Sequence, residues 1–165
     1  MMATRSGDLD PAIFSYLASS EHLAPDAVER MLNHDSGLRG VSGLSDDMRE
    51  LEAAAARGHP DAALAIEMFC YRARKYIGAY MAALGRVDAV VFGGGIGEHA
   101  DTVRARICAG MQRMGIAIDA EANRAANGRE TRISAADSLV QLWVVPLDEE
   151  LYIARAAARL IGNQK

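Results

Sequence analysis

Residues 60–84 carry apolar side chains three and four positions apart, at Ile66, Phe69, Cys70, Ala73, Ile77, Tyr80, Met81 and Leu84. That period marks one apolar face of a long helix. Gly85 stops the helix. Residues 87–92 follow at once as a nearly continuous apolar run, the pattern of a strand buried on both faces of a sheet. A long helix delivered straight into such a strand commits the chain to a layered α/β arrangement.

The remaining elements are shorter. Residues 11–20 and 26–33 read as helices, each with a proline at or just before its start. The stretch SGLRGVSGLSDD, with glycines at 37, 40 and 43, reads as a loop. Asp47 can cap the helix that follows, with Glu50 in the capping-box position. Beyond the glycines that follow Phe92, residues 101–114 read as a helix ended by Gly115, and 116–118 as a brief strand. Residues 119–138 are polar, helical at first and irregular later. Residues 139–145 (LVQLWVV) form a second strong strand, into which Trp143 alternates as a core residue. Pro146 ends it, and 148–161 form an amphipathic helix. The expected class is α/β, rich in helix, with a sheet too small to pair all its edges.

Composition limits the partners. The 165 residues suffice for one domain with a real core. A net charge of −4 argues against a nucleic-acid backbone. No apolar run approaches the roughly 20 residues that cross a bilayer, and MMATRSGDLDP lacks the apolar region of a signal peptide. Cys70 and Cys108 make no disulfide framework, which favours a reducing cytoplasm. His22, His34, His59 and His99 form no metal-binding spacing.

Four stretches can carry chemistry. In VVFGGGIGEH a buried strand runs into glycines, which let a ligand approach the backbone closely. The alternatives here are nucleotide contact and a tight turn with no ligand. Gly95, Gly97 and Ala100 also fit a dinucleotide fingerprint, with Asp119 about twenty residues on. Against this, Glu98 would sit at the helix start, where its charge competes with a pyrophosphate. Arg5, in TRSGD, can clamp a phosphoryl group or a carboxylate, or simply be solvated. The acidic LDEE, residues 147–150, can hold Mg²⁺ or cap a helix. SDDMR, residues 45–49, reads as a capped helix start.

Taken in order, TRSGDLDPAI, SGLSDDMREL, YRARKYIGAYMAALG, VVFGGGIGEH and VVPLDEELYIAR resemble successive stretches in the C-terminal part of acetate kinases. The resemblance covers essentially the whole chain. It implies an incomplete ribonuclease H-like, actin-like ATPase domain, with residues 1–165 forming part of the family's second domain and the N-terminal domain absent. It implies phosphoryl transfer between ATP and acetate, giving ADP and acetyl phosphate, with Mg²⁺. Arg5 matches the arginine that stabilises the transferred phosphoryl group, whose charge is spread over equatorial oxygens. Asp47, Met48 and Arg49 match a nucleotide-contacting segment. Gly95, Ile96, Gly97, Glu98 and His99 match the loop that holds adenosine, and Glu149 matches the acidic residue at the metal. On this resemblance the glycines meet the nucleoside, not the pyrophosphate.

The chain departs from the family pattern at Ala3 (usually glycine), Gly93 (threonine), His99 (asparagine) and Leu147 (threonine). The resemblance leaves the family's acetate-binding arginine, its catalytic aspartate and histidine and its phosphate loop without counterparts here. The chain alone is therefore expected to be inactive, because positioning supplies much of an enzyme's rate. A homodimer is expected. The alternatives are a butyrate or propionate kinase segment, a non-catalytic remnant or oligomerisation module, and a small dinucleotide-binding protein.

Overall fold

The computed structural model describes residues 1–162. In order the elements are α1 (Ala12–Ser20), α2 (Pro25–His34), α3 (Gly37–Ser42), α4 (Met48–Ala56), α5 (Pro60–Leu84), β1 (Ala89–Phe92), α6 (Gly94–His99), α7 (Asp101–Cys108), α8 (Ala120–Ala125), β2 (Thr131–Arg132), β3 (Gln141–Val144) and α9 (Glu149–Gly162). They fall into two compact units. The first is Met1–Val87 with Thr102–Gly110, and the second is Asp88–Asp101 with the chain from Met111 onward.

The first unit is helical. His59 Nδ1 accepts from Ala62 N at 3.3 Å to start α5, and Gly85 at φ 71° ends it. The early turns of α5 bury Ala62, Ala65, Ile66 and Cys70, on the side where α3 and α4 pack. The later turns do not continue that burial: Tyr80 is 63% exposed and Leu84 69%. At 1.5 Å per residue α5 is about 37 Å long and α4 only about 14 Å, so the short helices cover part of its length. Arg74, on α5, donates to the carbonyls of Arg106 and Ile107 and so satisfies the C-terminal end of α7.

The stretch expected as a loop contains α3. Residues 2–4 supply what its sequence lacks. Ser36 N donates to Thr4 O, Leu38 N to Met2 O and Arg39 N to Ala3 O, at 2.9, 2.9 and 3.1 Å. These carbonyls take N–H groups at and just before the helix start, where Ser36 offers no side-chain cap. Leu38 is fully buried as a result. Asp47 does cap α4, its Oδ1 accepting from Arg49 N at 2.8 Å. The reciprocal half of the capping box differs: Asp47 N donates to Ser45 Oγ at 3.1 Å, not to Glu50.

The second unit holds a three-stranded sheet among the described residues, in the order β1-β3-β2. β1 and β3 are parallel, pairing Ala89 with Gln141 through Phe92 with Val144. β2, within the stretch expected to be irregular, lies antiparallel to β3. The expectation that β1 is buried on both faces is not met: Phe92 is buried, but Val91 is 57% exposed, on the face it shares with half-buried Trp143. Trp143 likewise is not core. It lies on the face opposite Leu142 and Val144, half-buried, and Nε1 donates to Gln141 Oε1 at 2.8 Å. The brief strand at 116–118 reduces to one bridge between Ile118 and Ser134. The helix expected over 101–114 ends at Cys108; a separate 3₁₀ turn, Gln112–Met114, precedes Gly115 at φ 81°. No helix among the described residues is long and apolar enough to cross a membrane.

Candidate functional site

Parallel pairing brings the chain leaving β1 and the chain leaving β3 to the same edge of the sheet, because Phe92 and Val144 are partners. The backbone leaving β3 is tied at once, with Val145 N donating to Phe92 O at 2.9 Å. An open cleft of about 640 Å³ forms there, lined by Gly94, Gly95 and Glu98 on one side and by Pro146, Leu147, Asp148 and Glu150 on the other. Ligands in α/β sheets collect at such carboxyl ends.

The glycines are not a loop before a helix. They are the first turn of α6, with Gly93 as an extended N-cap and Gly94 at φ 70°. Each glycine meets a different surrounding. A Cβ on Gly95 would touch nothing within 4 Å, so this residue offers bare backbone to the cleft. A Cβ on Gly97 would lie 3.1 Å from the Phe92 carbonyl carbon, so α6 packs closely on the strand end there. A Cβ on Gly93 would lie 2.9 Å from Leu147 Cδ1. The departures at Gly93 and Leu147 are thus one exchange of volume, the larger residue at 147 filling the space left at 93.

Glu98 stands in the last turn of α6, not at a helix start, and is 9% exposed. Its Oε1 accepts from Leu147 N at 3.0 Å. Its charge is therefore not placed at the α6 N-terminus, where an anion would compete with it. Ile96 is half-buried. His99 is exposed and lies beside Gly128: a Cβ there would fall 2.7 Å from the ring's Cε1. His99 Nδ1 and Asn127 Oδ1 lie 2.7 Å apart, within hydrogen-bond distance. Asp119, the acidic partner in the dinucleotide pattern, caps α8: its Oδ1 accepts from Glu121 N and Ala122 N, both at 2.9 Å. Asp148 Oδ1 accepts from Leu151 N at 2.8 Å and opens α9. Glu149 is the first residue of α9, and its side chain lies outside the described residues.

The other candidates belong to the first unit. Arg5 sits on an exposed arm threaded between α2 and α3. Besides the bonds to α3, Ser6 N donates to Leu32 O at 2.9 Å and Thr4 Oγ1 to Asn33 O at 3.1 Å. Asp47 and Arg49 pair at 2.5 Å, and this hydrogen-bonded guanidinium holds the Asp47 carboxyl down at about 2. Met48 is 4% exposed, so its side chain belongs to the core and only its backbone is offered to a ligand. An open cleft of about 700 Å³ in this unit includes Thr4 and Arg39 but none of the predicted residues. Its lining mixes Asp26, Glu29 and Asp35 with Arg30 and Arg39, with no single sign to select a ligand.

The sequence treated the glycine stretch and the acidic LDEE as separate signals. What it missed is that Pro146, Leu147, Asp148 and Glu150 share a cleft with Gly94 and Gly95. The usable clue was the pair of apolar strands, 87–92 and 139–145: parallel neighbours place their following loops side by side.

The model of the acetokinase family matches residues 1–155. The acetate kinase of Solibacter usitatus is 53% identical over 163 residues, covering 98% of this chain and 39% of that protein. That of Dictyoglomus turgidum is 46% identical over 164 residues, covering 99% and 40%. The crystal structure of Porphyromonas gingivalis acetate kinase superposes with a TM-score of 0.91 at 44% identity, over 98% of this chain and 40% of that one. A propionate kinase from Francisella tularensis gives 0.85 at 40% identity, over 93% and 38%. The chain spans about two fifths of the length of these relatives, in their C-terminal part.

Proposed function

The chain belongs to the acetokinase family, and from that premise we propose that it is the C-terminal part of an acetate kinase-like phosphotransferase whose α6 cleft takes the nucleoside end of ATP or ADP. The observation that carries this reading is the bare backbone of Gly95 facing the 146–150 stretch across one cleft. A base and ribose lie readily on backbone without side chains.

In the proposed enzyme Arg5 stabilises the phosphoryl group in flight, and its arm is anchored at both ends by backbone hydrogen bonds. Asp47, the Met48 backbone and Arg49 serve the nucleotide, as do Ile96, Gly97 and His99 around Gly95. Glu149 serves the metal. The donor set fits Mg²⁺ arriving with the nucleotide: Glu150 lines the cleft beside Asp148, whose Oδ1 is spent as a cap, and Mg²⁺ needs only one or two carboxylates beside phosphate and water. When bound, Mg²⁺ would neutralise phosphate charge.

Acetate and acetyl phosphate are the proposed substrates of the whole enzyme, with propionate as the second choice because a propionate kinase is also structurally similar. Residues 1–165 are proposed as part of the family's second domain, inactive alone. A homodimer is part of the same proposal, supported by exposed apolar side chains on α9 such as Tyr152, Leu160 and Ile161. A reducing cytoplasm suits the two free thiols. The dinucleotide reading loses its support, since Asp119 is engaged at α8.

Calorimetric titration of the chain with MgADP, with NAD as control, tests the reading. ADP binding without NAD binding is expected. Binding of neither would leave the assembly-module alternative, and binding of NAD would restore the dinucleotide one.

A further inference from the structure

We infer that Glu98 is a positioning residue, whose carboxylate holds the 146–148 loop at a fixed distance from the glycine helix. The inference rests on the nucleotide reading of this cleft and assigns Glu98 a role inside it that is not ligand contact. Glu98 lines the cleft, but a carboxylate serving a nucleotide directly would keep its oxygens open to it. Glu98 is 9% exposed, and its Oε1 is taken up by a backbone N–H 49 residues away. Val145 N makes a bond to Phe92 O, and Pro146 has no N–H to give. Leu147 N is therefore the next backbone donor after that bond, and Glu98 takes it. An ionised acceptor makes that bond stronger than a neutral one.

Two further contacts converge on the same hinge. The Leu147 side chain lies where a Cβ at Gly93 would go. The Glu98 carbonyl accepts from Gly128 N at 3.2 Å, so one residue of α6 gathers both the 128 turn and the 147 loop. The 147 loop leads directly into Asp148 and the acidic start of α9. Its position sets how far those carboxylates stand from a nucleoside lying on Gly95.

Amide hydrogen exchange on the chain, with Glu98→Ala and Glu98→Gln, tests the placement. Exchange at Leu147 N should rise at least about tenfold in Glu98→Ala, while Glu121 and Ala122, held by Asp119, stay protected. Glu98→Gln, which keeps a neutral acceptor, should fall between. Unchanged exchange at Leu147, or a rise spread evenly through the unit, would overturn the inference. A second readout separates positioning from simple packing: Glu98→Ala should weaken MgADP several-fold more than metal-free ADP. Equal weakening of both would also overturn it. If the unaltered chain binds neither ligand, the nucleotide reading fails on its own account, and exchange at Leu147 alone decides the role of Glu98.

Discussion

Gly37→Ala is predicted to dislodge the arm that carries Arg5. Gly37 has φ 64°, and a Cβ there would lie 2.3 Å from Met2 O, 2.8 Å from Arg5 O and 2.9 Å from Ala3 O. These are backbone atoms, which cannot swing aside as a side chain can. Relief requires the arm to withdraw, forfeiting the bonds from Ser36, Leu38 and Arg39 to Thr4, Met2 and Ala3. At about 1 kcal/mol each, the three bonds amount to about 3 kcal/mol. The left-handed backbone adds about 1–2 kcal/mol for any residue with a Cβ. The expected loss is therefore about 4–5 kcal/mol. Gly43→Ala provides the control: it has φ 61° and nothing within 4 Å of its would-be Cβ. It should lose only the backbone share, about 1–2 kcal/mol. Urea unfolding followed by circular dichroism gives both losses, and hydrogen exchange at residues 36, 38 and 39 locates the difference. If the two variants agree to within about 0.5 kcal/mol, the arm does not press on Gly37, and the account of how Arg5 is positioned is wrong.

Two further expectations concern titrating groups. Arg49 holds Asp47 at about 2, below the ordinary 3.8, so the capping contribution of Asp47 should be intact above pH 3.8 and fade as pH falls toward 2. An NMR titration placing the Asp47 carboxyl near 4 would refute that pairing. Burial raises both thiols, Cys108 to about 11 from 9.0, so stability from the buried neutral form should hold below pH 9 and decline as pH rises through 11. At pH 8 a thiol reagent should leave both cysteines of the folded chain intact and modify both in urea; prompt reaction without denaturant would count against their burial.

Features that depend on neighbours along the chain were legible from residue order alone. The period of α5, its glycine stop, the Asp47 cap and the apolar character of β1 and β3 are local, and each stands where the pattern put it. The glycines, too, were legible as a place where backbone is exposed. Tertiary structure decided whatever depends on a partner remote in sequence. The α3 start is completed by carbonyls from residues 2–4, so propensity read it as a loop. Burial of β1 depends on what packs over each face of the sheet, which an apolar run cannot show. Met48 and Trp143 look alike as apolar residues, yet one is core and the other half-buried, because the packing of each element chooses its inner face. Glu98 is the sharpest case. Its charge read as an obstacle to an anion, and only the parallel pairing of β1 with β3, which brings Leu147 beside it across 49 residues, gives the carboxylate its partner.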